Sequence, residues 1–298
     1  MASSALMTDL EQLGFSAGDR VVVVHVDDLG MSPSANAGGV QALDGAATCG
    51  SVMVPCPAFE QMAQIARERP ELDIGVHLTL NAEYQSYRWG PTAKAVPGLV
   101  SPDAGMWRTA AETVVNASAE EVDRELRAQI DRALEAGIDV THIDSHMGTV
   151  FNPKFVDVYM SLARDYRLPA FIPRVSNEAL RRADLPPNLE RYRSLIKDAE
   201  KSGFPVFDHF NSDSLQFPPG TGADHNRARV DGFSAGIAYL ITHCARGGEE
   251  LESIAPDWRQ RDEERQIYSD GTMARHFADS DVKTLGMRPL RELLRGRL

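Results

Sequence analysis

Two imidazoles and a carboxylate lie close together in the stretch Thr141-His142-Ile143-Asp144-Ser145-His146. If the apolar residues 137–140 lead into a β-strand here, alternate side chains share a face, so His142, Asp144 and His146 point to one side. Histidine and aspartate in such a set bind divalent metal ions or carry protons in acid–base catalysis. A hydrogen-bonded structural network or an exposed strand edge is the alternative use of the same residues.

Similar side chains follow other apolar runs of the chain. The run 21–26 ends in Asp27 and Asp28, and the run 74–80 alternates so that His77 lies on its polar face. Further polar residues at predicted strand ends are Arg174, Asp208, His209 and His243. Because α/β folds place their chemistry at the carboxyl ends of strands, these side chains are predicted to converge.

The adjacent aspartates have a constraint of their own, since neighbouring residues of a regular strand face opposite sides. At the turn into Leu29-Gly30 this alternation is broken, so both Asp27 and Asp28 can reach a pocket. The alternative is that one of them only caps the turn. Two histidines and one aspartate form a common metal ligand set, which leaves the second aspartate available as a base.

The elements that must position these residues are short apolar strands alternating with amphipathic helices. The chain contains about eight such strands, within one domain that spans 1–298. The pattern predicts an α/β fold, a (β/α) TIM-like barrel in a distorted or incomplete form, with a doubly wound open sheet as the alternative. A long loop insertion is predicted at about 81–117, whose aromatic residues either pack on the barrel or stack against sugar rings. Neither GxGxxG nor GxxxxGK follows the first strand, so no dinucleotide or P-loop site is predicted.

Composition excludes several classes of partner. The 298 residues carry a formal net charge of -12, which argues against nucleic acid and against an anionic membrane surface. No run of 18 or more apolar residues is present, so no membrane span is predicted. The few, widely spaced cysteines (Cys49, Cys56 and Cys244) and the lack of a signal-like pattern over 1–20 predict a cytoplasmic protein with reduced thiols.

Three blocks of this sequence resemble the YdjC-like carbohydrate deacetylases, also called chitooligosaccharide deacetylase-like proteins. The blocks are 25–32 followed by Asn36, 75–80, and 141–146. Weaker likeness continues through 96–100, 105–107 and 259–268, so the resemblance spans nearly the whole chain. The chain departs from the family pattern at 147–150 and at Asn81-Ala82-Glu83, positions that bear on the substrate pocket.

The resemblance implies a distorted TIM-like barrel, frequently a homodimer, that binds one divalent metal ion, magnesium or zinc. Its implied reaction is removal of an acetyl group from an N-acetylated sugar or small oligosaccharide, a small-molecule substrate. The roles carried over by position are metal ligand for Asp28, His77 and His146, general base for Asp27, general acid for His243, and orientation of the base or the substrate for Arg174. His142 and Asp144 are further site candidates.

Two other functions would use the same residues. One is a non-catalytic sugar-binding protein on the same scaffold. The other is a different Asp/His/His metal enzyme such as an iron oxygenase, which would require oxygen and a reductant and would leave the second aspartate without a role.

Overall fold

Parallel pairing joins seven strands among the residues that the computed structural model describes, 9–174 and 189–297. The strands are β1 (Arg20–Leu29), β2 (Cys49–Val52), β3 (Ile74–Leu78), β4 (Ile143–Ser145), β5 (His209–Asn211), β6 (Gly236–Thr242) and β7 (Val282–Thr284). The α-helices are α1 (Asp9–Gln12), α2 (Pro33–Leu43), α3 (Phe59–Glu68), α4 (Ala110–Asn116), α5 (Ala119–Glu135), α6 (Val156–Tyr166), α7 (Leu189–Lys201), α8 (Gly222–Asp231), α9 (Glu249–Ile254), α10 (Trp258–Ser269), α11 (Thr272–Asp279) and α12 (Met287–Arg297). The predicted α/β class is therefore confirmed.

The sheet runs in the order β4-β3-β2-β1-β6-β5, and β7 pairs with the first residues of β1. Beyond β4, isolated parallel bridges join Ile143 to Ala170 and Pro173 to Phe207. Residues 170–173 contribute only these bridges because Pro169 and Pro173 have no N–H to donate to a ladder. The described ladders thus form a half-barrel of seven strands, where the sequence predicts about eight.

The central strand β1 faces two different cores. Its even-numbered valines, 22 to 26, pack with the outer helices, whereas Val21 and Val23 pack in the sheet interior with Phe207, Ile237 and Tyr239. His25 and Asp27 continue the interior row and are buried. The interior of the fold therefore changes from apolar at the start of β1 to polar at its end, where the candidate site lies.

Helix ends follow the signals in the sequence. The Ser32 hydroxyl accepts the Ala35 N–H at the start of α2, and Ser118 forms a capping box with Glu121 at the start of α5. Across 9–174 and 189–297, no helix combines the length and apolar character needed to cross a membrane.

The long loop predicted over 81–117 contains a short 3-10 helix (Pro97–Leu99), and α4 occupies most of its end. Its aromatic residues are mainly packing residues: Trp89 is 4% exposed and its indole N–H donates to the Asn81 carbonyl. Tyr84 and Trp89 pack together with Met31 and Met53 over the carboxyl end of the sheet. The sequence leaves two uses open for these aromatic side chains, packing on the barrel or stacking against sugar rings. In the structure Tyr84 and Trp89 pack on the fold.

Close packing in the interior makes Gly75 sensitive to substitution. A Cβ atom at Gly75 would lie 2.6 Å from the ring atoms of His142, and the hydrogen bonds of that ring to His25 and Thr141 restrict its movement. We expect Gly75→Ala to lower the free energy of unfolding by about 1–3 kcal/mol, measured by urea denaturation. Gly18→Ala, which adds a methyl group in open space, is the matched control, and equal stability of the two variants would contradict the packing argument.

Candidate active site

A β-bulge near the end of β1 brings both aspartates to the site. The pairing of β1 with β2 shifts register between Val26 and Leu29, and Asp28 has a φ of 67°. Aspartate is among the few residues that tolerate this left-handed conformation, and bulges commonly redirect side chains beside functional sites. The side chains are predicted to stop alternating at the turn into Leu29-Gly30. In the structure they do so earlier, at a bulge within β1.

Asp28, His77 and His146 form a compact, buried group. Each offers one ligand atom, and the three atoms lie within 4.8 Å of one another. Asp28 Oδ1 is 3.3 Å from His146 Nδ1 and 3.5 Å from His77 Nε2, and it is buried without a hydrogen-bond partner. An unpartnered buried carboxylate oxygen facing two imidazole nitrogens fits a divalent cation, for which this is a common donor set.

Each of these three residues is held from its other side. His77 Nδ1 donates to Asp144 Oδ1 at 2.9 Å, and His146 Nε2 donates to Glu83 at 3.0 Å. Arg261 donates to Asp28 Oδ2 at 2.7 Å, which leaves Oδ1 facing the histidines. Carboxylates behind the histidines fix the ring orientations and make the facing nitrogens better ligands, an arrangement typical of metal sites.

Charge in the group favours a cation. Burial alone would raise the pKa of Asp28, but Arg261 and the imidazoles of His146 and His77 hold this pKa well below its usual range. Burial would lower the pKa of His146, yet Glu83 and Asp28 raise it to about 9. The pKa of His77 is likewise raised despite its burial, because carboxylates surround it. The carboxylates therefore stabilise positive charge at this position.

A second polar layer lies beneath this group. His25 Nδ1 donates to Asp27 Oδ1 at 2.6 Å, and His25 Nε2 is 2.8 Å from His142 Nε2. His142 Nδ1 in turn lies 2.9 Å from the Thr141 hydroxyl, and burial followed by repulsion from His25 lowers the pKa of His142 well below its usual range. Since the His25 and His142 nitrogens are hydrogen-bonded to one another, to Asp27 and to Thr141, this layer holds Asp27 in a fixed orientation.

Asp27 and His243 meet at a cavity of about 380 Å³. Asp27 Oδ2 is 3.8 Å from His243 Nε2 and 3.7 Å from His77 Nε2, so this oxygen faces both the cavity and the candidate metal group, Asp28, His77 and His146. The aromatic residues that line the cavity are Phe151, Phe171, Tyr192, Phe210 and Tyr239. Such a pocket combines apolar walls with a carboxylate and an imidazole, the composition of a small-molecule site.

Three residues of the predicted convergence, Arg174, Asp208 and His209, lie elsewhere. Arg174 pairs with Asp208 at 3.1 Å and with Glu200, and these three line a different cavity from the one that contains Asp27. His209 bonds the Ala235 carbonyl at 3.2 Å, at the start of β5. Arg174, predicted to orient the base or the substrate, therefore makes no contact with Asp27, whose Oδ1 is held by His25 instead.

The site also contains residues to which the sequence alone assigned no role. These are Glu83 behind His146, Arg261 behind Asp28, and Ser214 and Glu264 beside His243. Arg261 and Glu264 come from α10, whose sequence is largely charged. In the structure Arg261, Glu264 and Tyr268 are buried on one face of this helix, although its charged sequence is typical of an exposed helix.

Comparison with known proteins gives one family. The model of the YdjC-like protein family matches residues 21–279. A carbohydrate deacetylase of Thermus thermophilus is 33% identical over 297 residues, covering 96% of this chain and 98% of its own. A carbohydrate deacetylase of Geobacillus stearothermophilus is 28% identical over 92% of this chain and 99% of its own. A carbohydrate deacetylase of Brevibacillus brevis is 35% identical over 153 residues, 51% of this chain and 59% of the relative.

Among solved structures, a protein of Enterococcus faecalis V583 described as a candidate for cellobiose-phosphate cleavage has the same fold. Its TM-score is 0.74, with 23% sequence identity, and the match covers 91% of this chain and 99% of that one. At this identity the likeness establishes the fold alone.

Proposed function

Because this chain belongs to the YdjC-like protein family, we propose that it is a carbohydrate deacetylase, a metal-dependent hydrolase that removes the acetyl group from an N-acetylated sugar or small oligosaccharide. The observation that carries the proposal is the buried Asp28 Oδ1, without a hydrogen-bond partner and faced by His77 and His146, beside the carboxylate of Asp27. The names of the full-length relatives support the substrate class.

In this proposal Asp28, His77 and His146 hold one divalent ion, magnesium or zinc. Such an ion supplies Lewis-acid chemistry, which makes water more acidic and polarises a carbonyl oxygen. Asp27 accepts the proton of the attacking water through Oδ2, while His25 holds Oδ1 in place. His243, on the same cavity, donates a proton to the departing amide nitrogen, which leaves only when protonated.

The cavity walls support a sugar as the substrate. Phe151, Phe171 and Phe210 give apolar surface against which the carbon face of a sugar ring packs. Asp27, Asp144 and His243 supply polar groups in the same cavity. The proposal therefore assigns the acetyl group to the end near Asp27 and His243.

We further infer that the sheet closes as a distorted barrel. Ladder pairing runs from β4 through β1 to β5, and the bridges from Ile143 to Ala170 and from Pro173 to Phe207 lie along the remaining path. Closure of this kind removes exposed strand edges. The homodimer implied by the family resemblance remains a prediction, tested by light scattering of the eluted protein.

The proposed function is tested by acetate release from N-acetylated mono- and disaccharides. The protein is stripped of metal with a chelator and reloaded separately with magnesium, zinc and manganese. We expect acetate release that disappears on stripping and returns with at least one of these ions. Absence of release from every combination, with metal bound stoichiometrically, would contradict a deacetylase and favour a non-catalytic sugar-binding protein.

Glu83 offers a test of the metal site that does not depend on turnover. In Glu83→Gln the carboxylate behind His146 is replaced by a neutral group of the same size, so His146 Nδ1 becomes a poorer ligand. We expect metal affinity to fall by about 10- to 100-fold in isothermal titration calorimetry. Glu71→Gln, at an exposed carboxylate, is the control, and equal affinities in the two variants would remove Glu83 from the proposal.

A further inference from the structure

His243 is held in place by a buried polar chain. Its Nδ1 lies 2.9 Å from Ser214 Oγ, and Ser214 Oγ donates to Glu264 Oε2 at 2.7 Å. The same Glu264 oxygen accepts the backbone N–H of His243 at 2.7 Å. Ser214 and Glu264 are both completely buried. Glu264 therefore holds the backbone of His243 directly and its ring through one hydroxyl.

The donors around Glu264 determine where the protons lie. The backbone N–H of His243 donates to Oε2, and Arg229 Nη1 lies 3.3 Å from Oε1, so both oxygens face obligatory donors and the carboxylate acts as the acceptor. Arg229 is itself fixed by hydrogen bonds to Asn211 and Asn226, each at 2.7 Å. Since the single proton of Ser214 is given to Glu264, Ser214 Oγ accepts, and His243 Nδ1 carries a proton.

We propose that Glu264, acting through Ser214, is a positioning residue that keeps a proton on His243 Nδ1, so that only Nε2 exchanges a proton with the substrate. The catalytic consequence rests on the proposed function. As the C–N bond of the amide breaks, its electron pair goes to nitrogen, which takes the proton from Nε2. The electron pair of the Nε2–H bond stays on the ring, and neutral His243 keeps its Nδ1–H bonded to Ser214.

The charges that face His243 agree with this assignment. Asp27 of β1 approaches Nε2 to 3.8 Å, Glu264 of α10 lies behind Nδ1, and Asp28 is within electrostatic reach. The chain through Ser214 distinguishes the two ring nitrogens, in the way that an aspartate fixes the tautomer of a catalytic histidine in serine hydrolases.

The tautomer is measured directly, without any assumption about the reaction. Imidazole nitrogens of the ¹⁵N-labelled, metal-loaded protein are observed by long-range proton–nitrogen correlation, and the signals of His243 are assigned by their loss in His243→Gln. We expect neutral His243 to carry its proton on Nδ1. A neutral ring protonated on Nε2 would overturn the proposal, whether or not the protein releases acetate.

Two variants test the chain itself. In Glu264→Gln the amide cannot accept at both ends as the carboxylate does, so either Arg229 or the donors at Ser214 and the His243 backbone lose their acceptor. We therefore expect the preference for the Nδ1–H tautomer to weaken. Ser214→Ala removes only the hydroxyl and leaves the Glu264–Arg229 pair, so it keeps the test valid if Glu264→Gln does not fold. We expect the fixed preference for Nδ1 to be lost in it. An unchanged tautomer in Ser214→Ala would overturn the proposal.

Kinetics provide the second readout, once a substrate is identified by acetate release. We expect Ser214→Ala to lower kcat by about 10- to 100-fold, with KM little changed. The alkaline limb of the kcat profile should move to lower pH, because the protonated ring loses the acceptor that stabilises it. Ser269→Ala, at an exposed hydroxyl of the same helix as Glu264, is the control. Identical pH profiles for the wild type and Ser214→Ala would contradict the catalytic role.

Discussion

Asp27→Asn is expected to reduce deacetylation by about 10²- to 10⁴-fold while a divalent metal ion still binds with unchanged stoichiometry. Asparagine has the size of aspartate and its carbonyl can still accept from His25, so the geometry at Oδ1 is retained. The amide cannot take a proton from water, so the loss should appear in kcat. The measurements are acetate release at saturating substrate and metal content after dialysis.

Asp28→Asn is the matched control for this variant. The two residues are adjacent, and asparagine tolerates the left-handed backbone at position 28, so both substitutions are equally conservative. We expect Asp28→Asn to lose metal, since a neutral amide oxygen replaces the only carboxylate ligand of the group. Metal loss in Asp27→Asn combined with metal retention in Asp28→Asn would mean that the two aspartates have the opposite roles.

Replacement of a proposed histidine ligand is expected to abolish both metal binding and acetate release. We expect His146→Ala and His77→Ala to lose stoichiometric metal, with acetate release falling below detection, because two remaining side chains do not hold the ion. His77→Ala should also lower the melting temperature more, since buried Asp144 Oδ1 loses the hydrogen bond from His77 Nδ1. His146→Ala leaves the more exposed Glu83 unpaired instead.

Metal content by mass spectrometry and calorimetric titration measure this effect. His209→Ala is the control, since His209 bonds only backbone and hydroxyl groups near Ala235 and lies outside the metal group. A variant of His77 or His146 that still binds one ion at wild-type affinity would remove that histidine from the ligand set.

The local sequence pattern correctly predicts the side-chain orientation of residues that lie within a regular strand. Alternation over 74–80 places His77 on the polar face, and the structure packs Ile74 and Val76 with the helices as expected. The strand expected to carry His142 to His146 is shorter, because β4 ends at Ser145. Met147 and Gly148 both have positive φ, which ends the strand as a short 3-10 helix begins.

Residues that act across the fold were beyond the reach of local pattern. Arg261 contacts Asp28 from 233 positions away, and its helix is so rich in charge that it is typical of a solvent-exposed surface. Arg174 shows the converse limit: it follows a strand-like segment as a site residue would, but Glu200 and Asp208 pair with its guanidinium outside the cavity of Asp27. Whether such an arginine lies in the site depends on where the fold places its carboxylate partners, which the local sequence does not show.

The bulge in β1 fixes the relative positions of Asp27 and Asp28 independently of the residues that line the cavity. One peptide unit joins Asp27 to Asp28, so the backbone of a single buried strand sets the spacing between the proposed base and the proposed metal ligand. The walls of the cavity come from other segments, among them Phe151, Phe171 and Phe210. Substitutions in those walls can change which acetylated sugar fits without altering that spacing. Relatives that share the bulge are therefore expected to diverge in substrate while they keep one reaction.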